Sequence, residues 1–194
     1  MGKIIQMAKA GKISISDLKK SMNKSMGIEA AHDLRQDNPT EVKEWIPTSS
    51  RWLDSIICKG KMAGIPVGKI TEIAGLSSVG KSYLAVQIAA QAQKQGKFVV
   101  YYDAESAIDP KFLTDSGIDM NDNFLYVQAV SVELVLKGIE DMMDQYGHQQ
   151  QFVFIWDSIA ATPSDKDIEG DFNPQSSMAV KPRILAKGMS KLTI

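Results

Sequence analysis

The sequence predicts an α/β fold with a mostly parallel sheet. Three observations carry this expectation. Apolar runs of strand length alternate with segments of helical period, the pattern of layered α/β folds. Residues 152–156 are apolar throughout and end on Asp157, as expected of a strand covered on both faces. Between a strand-like stretch, 69–74, and a helix-like one, 83–95, lies Gly75-Leu76-Ser77-Ser78-Val79-Gly80-Lys81-Ser82.

That octet fits the G-x-x-x-x-G-K-[ST] phosphate-binding pattern at every fixed position. Strand, glycine loop and helix is the arrangement phosphate binding needs. Glycines at 75 and 80 permit backbone angles that a side chain forbids. The loop N–H groups then face phosphate oxygens, and the helix N-terminus adds positive potential. In this pattern Lys81 reaches the β- and γ-phosphates and the Ser82 hydroxyl holds Mg²⁺.

Along the chain, Ser16 is expected to cap a helix over 17–26, with Leu18, Met22 and Met26 on one face and Gly27 as the stop. So short a helix must dock on something. Residues 28–41 are polar, contain Asn38-Pro39 and read as a linker. A strand is expected over 42–46, closed by Pro47, and a helix over 50–58 with Trp52, Leu53, Ile56 and Ile57 as its apolar set. Gly60, Gly64, Pro66 and Gly68 make a turn-rich lead into a short buried strand at 69–74.

After the glycine loop, Gly96 ends the long helix and 98–103 form a second buried strand. Asp109 caps a short helix, Pro110 opens it and Gly117 closes it. A third strand covers 123–128. Ser131 caps a helix with Val132, Val135, Leu136, Ile139, Met142, Met143 and Tyr146 at helical spacing, stopped by Gly147. The fourth strand is 152–157. A polar loop follows over 164–177, and Pro182 opens a last helix with Leu185, Met189 and Leu192 as its seam.

Composition narrows the class. The 194 residues are 44% hydrophobic, enough for one domain with a core. Net charge is −1, but residues 1–26 hold six lysines against one acid, Asp17. Such a run touches nucleic acid or is simply a solvated face. Cys58 is the only cysteine, which excludes a disulfide framework and a thiolate metal cluster. His32 and His148 are expected to stand alone at the surface. No apolar run approaches the roughly 18 residues of a membrane span, so a soluble cytoplasmic protein is expected.

Ligands of such sheets bind outside the carboxyl ends of the strands. Glu105 and Asp157 both fall there. Asp157 is placed to orient Mg²⁺ through its water shell. Its plain alternative is a strand-ending cap. Glu105 either orients the attacking water or is a solvated turn residue. Phe112 stacks on a purine or packs in the core. Asp165, Asp167, Glu169 and Gly170 imitate the start of a calcium loop, but Ser176 stands where the twelfth-position Glu is required. Calcium is therefore excluded, and these acids read as a solvated loop or one that repels misplaced phosphates.

At this point the chain resembles the RecA family of recombination ATPases. Trp52-Leu53-Asp54, the stretch 64–73, Gln95-Gly96-Lys97, 103–110, 157–161 and Ile168-Glu169-Gly170 follow in that family's order and spacing. The resemblance covers 45–194. It implies a phosphate-loop ATPase core of RecA type over 45–194 and a helix–strand arm over 1–44 that docks on the next protomer of a helical filament. It implies ATP and Mg²⁺ as cofactors, with Gly75 to Ser82 and Tyr83 lining the nucleotide. Glu105 matches the catalytic glutamate, and Asp109 and Phe112 match the adenine-contacting pair, where tyrosine is usual at the second position. Residues 164–181 match the first DNA-binding loop, with Met178 and Ala179 along single-stranded DNA and Arg183 on a phosphate.

The implied function is a DNA-dependent ATPase that forms filaments on single-stranded DNA and pairs it with a homologous duplex. A RecA-fold helicase, a repair accessory ATPase and a non-hydrolysing filament regulator are the alternatives. Ser77, Asn173-Pro174 and Trp156 depart from the usual pattern and suggest a phage-encoded or other distant homologue. The family's later strands, γ-phosphate-sensing glutamine, second DNA loop and interface lysines find no match before Ile194. The C-terminal part of the core is therefore expected to be missing, as in an N-terminal fragment or split-gene half.

Overall fold

The computed structural model describes residues 13–170 and 179–193. The chain divides into two units, Met1–Lys43 and Glu44–Ile194. In the first, α1 (Ile15–Met26) is capped by Ser14 rather than the expected Ser16. Ser14 Oγ accepts from the Asp17 N–H and donates to the Asp17 carboxylate, so this serine answers Asp17 reciprocally. Gly27 ends the helix at φ 69°, as expected. Leu18, Met22 and Met26 are exposed. Within 28–41, the Asn23 side chain holds the backbone of Ala30 and Ala31. His32 does not stand alone: its Nδ1 lies 2.7 Å from Asp37.

The second unit opens with β1 (Trp45–Ile46), α2 (Arg51–Ile57) and β2 (Ile65–Pro66). β1 pairs antiparallel with β2. It is shorter than expected because Pro47 follows it and Pro66 opposite has no N–H to donate. The expected helix forms with Ser50 as its cap rather than its first residue, but the buried face is not the apolar one. Trp52 is 83% exposed, Ile56 is 72% exposed and Asp54 is buried. Asp54 Oδ1 accepts from the Thr48 N–H at 2.9 Å and the Thr48 hydroxyl at 2.7 Å. Polar demand, not hydrophobic period, sets the orientation of this helix.

Residues 69–74 are not the expected buried strand. Ile70 and Ile73 are exposed, and none of the described strands pairs with this stretch. Strand backbone needs a neighbour for its N–H and C=O groups, and among the described residues it has none.

The glycine loop leads into α3 (Lys81–Lys94), whose inner face buries Val86, Ile88, Ala89, Ala90 and Ala92. Then follow β3 (Phe98–Asp103), α4 (Pro110–Asp115), β4 (Phe124–Gln128), α5 (Val132–Tyr146) and β5 (Phe152–Asp157). The sheet order is β4-β3-β5, all parallel, so the α/β expectation holds. Side chains alternate across β3. Val99 and Tyr101 pack with α3, while Val100 and Tyr102 pack with Val135 and Ile139 of α5. β3 is buried on both faces, but β5 is only half-buried along its length, contrary to expectation. Among the described residues it pairs on one side only.

Lys97, at the foot of β3, is 1% exposed. Its ammonium meets Glu44 at 2.9 Å and Gln151 at 2.7 Å, which satisfies a charge that would otherwise be costly to bury. The expected polar loop over 164–177 begins instead with α6 (Asp165–Glu169). Ser164 and Asp167 form a capping box, so Asp165 and Asp167 belong to a helix start. Finally α7 (Val180–Leu192) begins two residues before Pro182. Proline is tolerated there because first-turn N–H groups lack helical partners anyway. Gly188 of α7 lies against Leu136 of α5, where a Cβ would come within 2.4 Å.

Candidate active site

The glycine loop is held by its own backbone. Ser78 has φ 60° and Gly80 φ 93°, and a side chain at Gly80 would be strained at that angle. Gly80 caps α3 without a side-chain hydrogen bond, so the first N–H groups of a 14-residue helix stay available. Leu76, Ser77 and Val79 are exposed. Lys81 Nζ donates to the Leu76 carbonyl at 2.7 Å, closing the loop with a cation inside it. Loop amides, a helix N-terminus and an ammonium form an anion seat.

Beside it, the sheet presents carboxylates. Asp103 and Asp157 are register partners at the ends of β3 and β5. A cavity there is lined by Ser82, Asp103, Glu105, Ala107, Ile108, Phe112 and Asp157. The structure therefore brings together four residues singled out from the sequence: Ser82, Glu105, Phe112 and Asp157. Glu105 Oε1 accepts from the Ser158 hydroxyl at 3.3 Å. Phe112 packs on the core beneath α3, as one reading expects, and also lines the cavity. Tyr83 is exposed, its ring 6.3 Å from that of Phe112.

Sequence reasoning missed the residues that hold these groups. Asp103 accepts from the N–H groups of Glu105 at 3.0 Å and Ile108 at 3.1 Å, which shapes the turn carrying Glu105. Tyr126 donates its hydroxyl to Asp103 Oδ2 at 3.1 Å. Tyr101 donates to Asp157 Oδ2 at 2.7 Å. Burial, and then the Asp157 bond and charge, push the Tyr101 phenol far above its ordinary range, so it stays a donor. Strand alternation was the available signal, since it puts Tyr101 and Asp103 on one face of β3.

Other expected residues lie apart. Asp109 caps α4 by accepting from the Lys111 N–H and does not line the cavity. Ala179 has φ 63° immediately before α7, and Arg183 is exposed as the fourth residue of that helix. Lys181 Nζ reaches the Ala160 carbonyl at 2.8 Å, tying the start of α7 to the loop after β5. Met178 lies outside the described residues.

The donor set suits a hard cation, for the hydroxyl and carboxylates around the cavity offer oxygen alone. Among the described residues no three His, Cys, Asp or Glu side chains form a metal cage. A cation here would lean on water and on a ligand's own phosphates, as Mg²⁺ does. No helix among the described residues is long and apolar enough to cross a membrane.

The RecA N-terminal domain model matches residues 13–194. The chain is 36% identical to Protein RecA of Aquifex pyrophilus over 172 residues, covering 89% of this chain and 47% of that protein. It is 37% identical to Protein RecA of Colwellia psychrerythraea over 157 residues, covering 81% and 43%. Protein RecA of Fusobacterium nucleatum is 35% identical over 180 residues, covering 93% and 45%. The chain thus spans about half the length of these relatives. A phosphate loop, strand-end carboxylates and a family match along nearly the whole chain converge, and the chain belongs to the RecA family.

Proposed function

We propose that this chain carries the nucleotide-binding part of a DNA-dependent ATPase that forms filaments on single-stranded DNA and pairs it with homologous duplex. The observation that supports this reading is a shared cavity where Ser82, Glu105 and Asp157 meet beside the glycine loop. Gly75 to Tyr83 would cradle the phosphates of ATP, and Lys81 would exchange the Leu76 carbonyl for phosphate oxygen. Ser82 and Asp157 would hold Mg²⁺, Asp157 through water, and the cation would neutralise phosphate charge. Glu105 would take the proton of the attacking water. Asp109 and Phe112 would contact the adenine.

In the same reading Met178, Ala179 and Arg183 touch single-stranded DNA, and residues 1–44 form the arm for self-association. The core domain is 45–194, working in the cytoplasm without a membrane partner. Paired substitutions test the site. Lys81→Ala should abolish binding of a fluorescent ATP analogue. Glu105→Gln should bind it normally yet slow DNA-stimulated hydrolysis by about 10²–10⁴-fold. Equal loss of binding and turnover in Glu105→Gln would reduce that residue to a structural one, and hydrolysis surviving Lys81→Ala would refute the site.

A further inference from the structure

Two tyrosines make the same contact on successive strands. Tyr126 of β4 is the register partner of Tyr101 on β3, and its hydroxyl reaches Asp103, two residues further along β3. Tyr101 is in turn the partner of Ile155 on β5, and its hydroxyl reaches Asp157, two residues further along β5. Diagonal neighbours across adjacent strands lie about 7–8 Å apart, within reach of a long aromatic side chain. A phenol spans that gap and ends in a donor. Each strand thereby holds the terminal carboxylate of the next.

The two contacts differ in consequence. Tyr101 is wholly buried, and its 2.7 Å bond engages Asp157 Oδ2. Asp157 Oδ1 is then the oxygen left for a ligand. Asp157 is itself half-buried at the end of a strand that, among the described residues, pairs on one side only, so backbone alone constrains it weakly. A phenol held in the core with its ring wholly buried presents that donor from a fixed position. Outer partners of this kind set the orientation of a metal-binding carboxylate.

We propose that Tyr101 is a positioning residue that aims Asp157 at the Mg²⁺ accompanying the nucleotide. The inference rests on the reading of Asp157 as the Mg²⁺-orienting carboxylate. Tyr101 touches neither nucleotide nor cation; it acts through Asp157.

The test is a Mg²⁺ titration of the binding of a fluorescent, non-hydrolysable ATP analogue, with EDTA as the zero point. Tyr101→Phe keeps the buried ring and removes only the donor. It should leave binding in EDTA unchanged and raise the Mg²⁺ midpoint about tenfold. Tyr102→Phe, on the opposite face of β3, should leave the midpoint unchanged. In an Asp157→Asn background, Tyr101→Phe should add no further shift, because the carboxylate through which it acts is gone. A merely structural Tyr101 would lower the melting temperature with the Mg²⁺ midpoint unmoved, and that result overturns the inference while Asp157 keeps its role. Should Asp157→Asn itself leave the midpoint unmoved, the metal reading of Asp157 falls, and the inference with it.

Discussion

Adjacent tyrosines on β3 should respond in opposite directions to the same substitution. Tyr101 and Tyr102 are both buried, at 0% and 2% exposed, and point to opposite faces of the sheet. Tyr101 donates to a carboxylate, whereas the Tyr102 hydroxyl has no hydrogen-bond partner among the described residues. Removing a hydrogen bond to a charged group costs about 1.5–3 kcal/mol. Asp157 is half-buried and recovers part of that from water, so Tyr101→Phe should destabilise by about 1–2 kcal/mol. An unsatisfied buried hydroxyl costs about 1–3 kcal/mol, so Tyr102→Phe should stabilise by about 1 kcal/mol. Neither change alters ring packing, so no cavity contributes. For a chain of this length the gap between the variants is roughly 5–10 °C in melting temperature. Urea denaturation followed by tryptophan fluorescence measures both, with Trp156 close to the change. Equal destabilisation by the two substitutions would refute the reasoning, for it would mean that ring packing rather than the hydroxyl's partner governs.

Three further outcomes are expected. Asp54→Ala should cost about 2–3 kcal/mol in the same titration, because it strips the buried Thr48 N–H of its acceptor, while Trp52→Ala should stay within about 0.5 kcal/mol; a larger loss from Trp52→Ala would contradict the orientation of α2. Tyr101, Tyr102 and Tyr126 all hold their phenol protons more tightly when folded, with burial the largest cause in each. The stability they contribute is full below the unfolded value of about 10 and falls as pH rises above it. Tyr101→Phe should make that alkaline fall shallower, and an unchanged slope across about pH 9–11.5 would contradict it. Arg183→Ala should weaken binding of a labelled single-stranded oligonucleotide similarly for every sequence and lower the salt slope by about one phosphate contact, with nucleotide affinity untouched; an unchanged slope would remove Arg183 from the DNA contact.

Much of this molecule is local and therefore legible in sequence. β3 and β5 declare themselves as apolar runs, α3 by a stretch free of Gly and Pro, and α4 and α5 by caps at Asp109 and Ser131. The glycine loop needs only its own eight residues to be recognised, because its chemistry is mostly backbone. Asp157 and Glu105 are found because strand ends in α/β sheets gather ligands. What depends on partners distant in sequence stays hidden. Residues 69–74 have a strand's composition, but a strand exists only where a neighbour takes its hydrogen bonds. α2 has an apolar set, yet a buried carboxylate bonded to Thr48 turns it the other way. β5 reads as covered on both faces, but among the described residues it has a strand neighbour on one side only and is half-buried. The bonds from Tyr101 to Asp157 and from Tyr126 to Asp103 follow from register between strands far apart in sequence, and register is set when the sheet assembles. The sequence by itself determined most of the helices, the three strands of the parallel sheet and where phosphate chemistry sits; the tertiary structure alone decided which side chains hold the carboxylates in place, because that choice is made across strands rather than along them.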